Sequence, residues 1–124
     1  MDDFDVVAAV PSAQVDDPAE AWAAMRRDLL PYFGLPFYRA MLERSGFGAD
    51  IAAFDAAAAT GDAEAMQAAI GDGFLDVLTA VGDDDTVRAG VQRYLDAGAV
   101  SPCVGPIPKT DFDATLRAAA PGAA

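Results

Sequence analysis

The sequence predicts a predominantly helical α/β fold built around parallel strands. Three observations predict it. The stretch from Gly82 to Ile107, GDDDTVRAGVQRYLDAGAVSPCVGPI, reads as a capped amphipathic helix, a glycine stop and a short apolar run. That is the helix-then-strand unit of a parallel sheet. Near the start, FDVVAAV (Phe4 to Val10) is continuously apolar and rich in β-branched residues, which suits a strand covered on both faces. Between them, apolar residues recur at helical spacing. Only these two segments read as strands, and two parallel strands alone make no stable sheet. Either the helices do nearly all the stabilising, or the chain is part of something larger.

Each element follows in turn. Pro11 and Ser12 are expected to close the first strand. Asp17-Pro18-Ala19-Glu20 is a helix start: Asp17 accepts from first-turn amides, Pro18 has no amide to leave unpaired, and Glu20 suits a capping box. Trp22, Met25, Leu29, Leu30 and Phe33 then form an apolar stripe. Pro31 should bend or stop this helix near Leu30. Pro36 opens a second helix with Phe37, Ala40 and Met41 on one side and Gly46 as its stop. A third spans Ala49 to Ala59, with Ile51, Phe54 and Ala58 on one face. Asp62 or Thr60 caps a helical stretch from Ala63 to Val81. Gly71 and Gly73 each cost about 1 kcal/mol there relative to alanine, so two short helices or one with a weak centre fit equally.

Asp83 caps the last long helix, with Asp84 and Asp85 where negative charge meets the helix dipole. Val87, Val91, Tyr94 and Leu95 share its apolar face, and Gly98 ends it. Val100 to Val104 form the second strand, and Gly105-Pro106-Ile107-Pro108 a stiff exit loop. Asp111 or Thr110 caps a final helix in which Phe112, Leu116 and Ala119 share a face. Residues 1–124 read as one domain whose tail, from Pro121, is frayed.

Composition narrows the function. Net charge is −12, from twenty Asp/Glu against eight Lys/Arg. The basic residues are scattered, which disfavours nucleic acid and anionic membrane surfaces as partners. No apolar run approaches the ~20 residues of a membrane span, and no signal peptide is visible, so the expected location is cytoplasmic. The single Cys103 permits no intrachain disulfide, and the burial habit of free cysteine makes it a small buried strand residue. There is no histidine, which removes histidine-based triads and histidine-containing zinc sites.

The acidic clusters Asp2/Asp3/Asp5, Asp16/Asp17 and Asp83/Asp84/Asp85 lack calcium-loop spacing. They read as caps and solvated surface, with no metal site. Gly71-Asp72-Gly73 lacks the third glycine and the preceding strand of a dinucleotide fingerprint. Among Trp22, Tyr32, Phe33, Phe37 and Tyr38, helical spacing favours core, with Tyr32 and Tyr38 the better pocket-wall candidates. The most site-like place is Val104 to Lys109, after a parallel strand's carboxyl end, where α/β proteins put ligands. Gly105 allows close backbone approach, and Lys109 is the one lysine in the chain. A stiff surface loop explains the same residues equally well. No catalytic residue stands out.

Two segments together resemble the C-terminal part of the luciferase-like flavin- or deazaflavin-dependent oxidoreductases. Residues 4 to 47 match an apolar strand ending in a V-P turn, then D-D-P-x-E-A, then a helix with a Y-x-x-x-P-x-Y-like segment ending in G-F. Gly82 to Ile107 is similar to the family's unit leading to its final barrel strand. The resemblance implies the last two strands and helical insertion of a (β/α)8 barrel, a fold of about 250 residues, and not a complete barrel. It implies that the absent strands carry most contacts to FMN or deazaflavin, so this chain alone is expected to bind neither. By position it implies substrate or cofactor contacts at Ser12, Gly105 and Lys109, and a cavity wall at Tyr32 and Tyr38. Three functions follow. The chain is the C-terminal portion of such a monooxygenase, needing a missing N-terminal barrel half as partner. Alternatively it is a non-catalytic helical binding or assembly module, possible as a homo-oligomer. A standalone enzyme of unrelated chemistry has the least support.

Overall fold

The computed structural model describes residues 4–122. The expected carboxylates Asp2 and Asp3 and the last two tail residues lie outside them. Ten elements follow one another: β1 (Val7–Gln14), α1 (Ala19–Phe33), α2 (Pro36–Arg44), α3 (Gly48–Thr60), α4 (Ala63–Ala68), α5 (Asp72–Leu78), β2 (Ala80–Gly82), α6 (Asp84–Asp96), β3 (Ser101–Pro106) and α7 (Phe112–Ala119). The fold is α/β with an open, three-stranded, all-parallel sheet in the order β2-β1-β3. The chain divides into two compact units, one from the residues up to Ala21 with those from Asp76 onward, the other Trp22–Leu75.

In the sheet unit, β1 is central. Ser12, Ala13 and Gln14 pair with Ala80, Val81 and Gly82. Val7 to Ser12 pair with Ser101 to Pro106. The strand count expected from sequence is therefore corrected from two to three. Ala80–Gly82 lies at the end of the stretch read as helical. Three residues carry no readable period, and their extended form is decided by pairing with β1. A barrel wound in chain order would place β2 between β1 and β3. Here β1 takes that place.

The first strand also lies further along than expected. It runs through Pro11 and Ser12, which were read as its close. The sheet tolerates Pro11 for a reason visible in the register. Val15 donates to the Gly82 carbonyl at 2.8 Å, so alternate residues of β1, Pro11 included, turn toward β2. Yet β2 begins opposite Ser12, so no ladder bond is lost at Pro11.

One sheet face is covered by α6 and α7. Val10, Ala80, Val87 and Ala118 are buried together, with Val91, Tyr94 and Ala119 packed against them. Gly90 permits the close approach: a β-carbon there would lie 2.6 Å from that of Ala80. Tyr94 donates to the Leu78 carbonyl at 2.6 Å and Arg93 to the Thr79 carbonyl at 3.2 Å, tying α6 to the segment entering β2. On α7 the buried residues are Thr115 and Ala118, whereas Phe112 and Leu116 are exposed, correcting the expected face. The Thr115 hydroxyl accepts from the Gln14 amide at 2.9 Å, and that bond sets the helix's rotation.

The opposite sheet face carries Val7, Ala9 and Cys103 in register, all exposed. Cys103 is thus exposed and not buried as expected. Strand alternation puts it on the face away from α6 and α7.

In the helical unit, α1 continues through Pro31 to Phe33, so of the expected bend or stop near Leu30 the stop does not occur. Pro31 is exposed, so the carbonyl it cannot satisfy faces water. Phe33, 1 % exposed, anchors the last turn against Phe54 and Phe74, with ring centroids 5.7 Å away in each case. α3 buries Ile51, Phe54 and Ala57, one position earlier than the expected Ala58. The stretch after Asp62 resolves into two helices. Asp50 accepts from the Gly71 amide at 3.1 Å, and Arg26 donates to the Ile70 carbonyl at 2.8 Å and pairs with Asp72. Arg39 forks onto Asp55 at 2.8 and 2.6 Å, joining α2 to α3. At the chain's other end, Pro121 and Gly122, read as frayed, form a turn.

Candidate functional site

Parallel strands bring their carboxyl ends to one rim of the sheet, where ligand sites of α/β proteins form. Three segments leave that rim here: Val15–Pro18 after β1, Asp83 after β2 and Ile107–Asp111 after β3. Each leads into a helix in which one first-turn amide is taken by a carboxylate. Asp17 accepts from Ala19 at 2.9 Å, Asp83 from Thr86 at 2.8 Å and Asp111 from Ala114 at 2.9 Å. Aspartate is favoured at these positions because it satisfies orphan amides and opposes the helix dipole. At Asp83, hydrogen bonds from the Thr86 side chain and then its amide hold the carboxyl below the usual carboxylate range. Asp62, in the helical unit, caps α4 in the same way, accepting from Ala65 at 3.0 Å.

The expected site residues fall into two sets. Ser12, Gly105 and Lys109 belong to the sheet unit, and Tyr32 and Tyr38 to the helical unit. Ser12 is fully buried, with its hydroxyl donating to the Val10 carbonyl at 2.8 Å. It shares the helix-covered face with Val10, so its hydroxyl is committed to the backbone. Gly105 pairs with Pro11 on the opposite face. A β-carbon at Gly105 would meet only the Val10 carbonyl oxygen, at 3.8 Å, so the space above it is open. Lys109 is exposed and adopts a left-handed backbone, φ 67°, in a turn closed by the Thr110 hydroxyl on the Ile107 carbonyl at 2.7 Å. Register therefore brings Ser12 and Gly105 to one stretch of β1 and β3 but turns them to opposite faces.

Tyr32 and Tyr38 do meet, edge to face, with centroids 4.9 Å apart. Phe37 lies against Tyr38 at 5.6 Å but is 77 % exposed, which corrects its expected place in the core. Cys103, read from the sequence as a buried strand residue, instead shares the open sheet face with Ala9 and Gly105. The signal that locates it is the β1–β3 register, which periodicity alone does not supply.

The rim chemistry tests whether these residues fit a flavin or deazaflavin. A phosphate-bearing cofactor needs free helix amides or converging cations. Here each helix start already has a carboxylate, Asp17, Asp83 or Asp111, seated on one of its amides. Asp16, Asp84, Asp85 and Asp113 add negative charge beside them, and Lys109 is the one cation of these three segments. The residues present do not fit the phosphate end of such a cofactor. Among the described residues no group of histidine, cysteine and carboxylate side chains could hold a metal ion, and no helix is long and apolar enough to cross a membrane.

A family model described as luciferase-like monooxygenase matches residues 1–101. No curated protein and no solved structure matches the chain. The match spans β1, the whole helical unit, β2 and α6, and reaches the first residue of β3. The chain belongs to the luciferase-like monooxygenase family.

Proposed function

We propose that this chain is the C-terminal, insertion-bearing portion of a flavin- or deazaflavin-dependent oxidoreductase, and that it does no redox chemistry by itself. The observation that carries this reading is the carboxylate-capped rim. Where the family's chemistry calls for an anionic cofactor, this chain offers Asp17, Asp83 and Asp111 on the helix amides. Cofactor phosphate and ring contacts would come from a complementary barrel portion. The chain would then contribute the sheet face bearing Ala9, Cys103 and Gly105, the loop of Lys109, and the tyrosine pair Tyr32 and Tyr38 of the insertion.

The strand order favours a second reading. With β1 between β2 and β3, the sheet is covered by its own helices in an order a sequentially wound barrel does not have. A non-catalytic assembly module descended from the family accounts for that order.

Flavin titration separates the two. The purified chain is titrated with FMN and with a deazaflavin, following fluorescence quenching, alone and mixed with a polypeptide carrying the other strands of a luciferase-like barrel. Under the first reading the chain alone shows no saturable quenching up to about 100 μM cofactor, a range reporting any affinity better than about 5 kcal/mol, whereas the mixture saturates. If neither sample binds, the module reading stands. Saturable binding by the chain alone overturns the reading of the rim.

A further inference from the structure

The outward face of α2 in the helical unit repeats its own chemistry in reverse. Phe37, Ala40, Met41 and Arg44 fall at i, i+3, i+4 and i+7, so they share one stripe. Leu42, 3 % exposed, points to the opposite side, whereas Phe37 and Met41 are 77 % and 43 % exposed. Ala40 and Arg44 are exposed as well. The helix's two arginines differ in use. Arg39 is committed to Asp55 and to the Phe33 carbonyl, while no hydrogen bond or ion pair among the described residues engages Arg44. Leu35, which precedes α2, is 48 % exposed, and Tyr32, whose ring meets that of Tyr38 on α2, is 43 % exposed. Soluble surfaces rarely leave so many large apolar groups together without a partner.

We propose that this face is an interface between two copies of the chain, α2 lying antiparallel on the partner's α2 about a two-fold axis. The midpoint of the stripe falls between Ala40 and Met41. Antiparallel pairing about that point sets Phe37 against the partner's Arg44 and Ala40 against the partner's Met41, and by symmetry each contact occurs twice. The first pair places a free guanidinium on an exposed aromatic face, a favourable electrostatic match. The second places a small side chain against a large flexible one, which lets two helices approach closely. The residue types are those enriched at interface centres: aromatic, methionine and arginine. A parallel arrangement would put ring on ring and guanidinium on guanidinium. The stripe is thus electrostatically complementary to itself in one orientation only.

Sedimentation equilibrium over a range of concentrations tests this, with circular dichroism to confirm that each variant is folded. The wild-type chain is expected to show a reversible monomer–dimer equilibrium. Phe37→Arg, at a mostly exposed position, sets cation against cation and should weaken the dimer by at least about tenfold. The exchange variant Phe37→Arg/Arg44→Phe restores the same pairs with the partners interchanged, and should return the constant to within about threefold of wild type. A wild-type chain monomeric to about 1 mM, a Phe37→Arg variant that dimerises as before, or an exchange variant that fails to recover would each overturn the proposal.

Discussion

At the scale of single residues, Gly90 shows which of two opposing effects wins. Replacing a mid-helix glycine with alanine ordinarily gains about 1 kcal/mol of helix propensity. The new β-carbon would lie 2.6 Å from the Ala80 Cβ and 2.8 Å from its Cα, and overpacking of that kind costs about 1–3 kcal/mol. Gly90→Ala should therefore lower the urea midpoint with an unchanged m-value; a raised midpoint would mean that α6 can slide on β2. Asp83 has its effect through protons. Its folded pKa lies below the ordinary value, so its contribution is present above the unfolded pKa of about 3.9 and is lost as pH falls through the folded value. Asp55, held low chiefly by its hydrogen bond to Arg39, adds to the same acid limb. Asp83→Asn keeps a capping oxygen but not the titration. Thermal midpoints measured from about pH 6 to pH 3 should then fall less steeply for the variant than for wild type. The caps at Asp17 and Asp83 were legible in the sequence, and Asp62 and Asp111 as one of two candidates each, because a cap needs only its own next turn. The exposure of Cys103 and Phe37 was not, because it depends on which face a distant element covers.

At the scale of elements, β3 is protected as an edge strand. The amides of Ser101 and Ile107 donate to the Val6 and Ser12 carbonyls, each at 3.2 Å, so odd-numbered residues of the strand face β1. The outward positions are then Pro102, Val104 and Pro106, and two of those three have no N–H to offer. Prolines on an edge blunt strand addition. Replacing both with valine should restore two outward donors and raise β-propensity. The expected result is concentration-dependent light scattering and a rise in β-sheet signal that wild type does not show. Equal solubility would mean that something other than the prolines protects the edge. Elements of long period were readable in advance: α2, α3, α6 and α7 lie near their expected bounds, and α1 begins where expected. The element that was missed, β2, is three residues long. It has no period of its own and owes its form to the β1 residues it pairs with, far away in the chain. Local backbone preference at Pro31 argued for a bend or a stop, and burial of Phe33 outweighed the stop.

At the scale of the whole molecule, family membership was legible because the order of elements survives translation into sequence. The arrangement of strands was not, because neighbouring order in a sheet is set by pairing and leaves no periodic trace. The three-strand sheet therefore changes what the family resemblance implies. It supports a chain that shares the monooxygenases' elements while arranging its own strands as β2-β1-β3. The charge chemistry follows the same arrangement, since four of the five charged residues in the three segments leaving the strand ends are acidic. An enzyme of this family working through this rim would need compensating cations from elsewhere.

The central place of β1 also has a consequence in time. Val10 is made 94 residues before its partner Val104. At the usual pace of about 5–20 residues per second, β1 leaves the ribosome several seconds before anything exists for it to pair with. The helical unit has no such delay, because its contacts lie within Trp22–Leu75, and it should be compact while synthesis continues. Refolding in vitro should accordingly show a fast helical phase and then a slower one, in the millisecond-to-second range of non-local sheets, when β1 captures β3. Stopped-flow far-UV dichroism with Trp22 fluorescence would resolve the two. A single phase on both probes would mean that helices and sheet form together. The strand that organises the finished sheet thus waits for its partner while the whole helical unit is made.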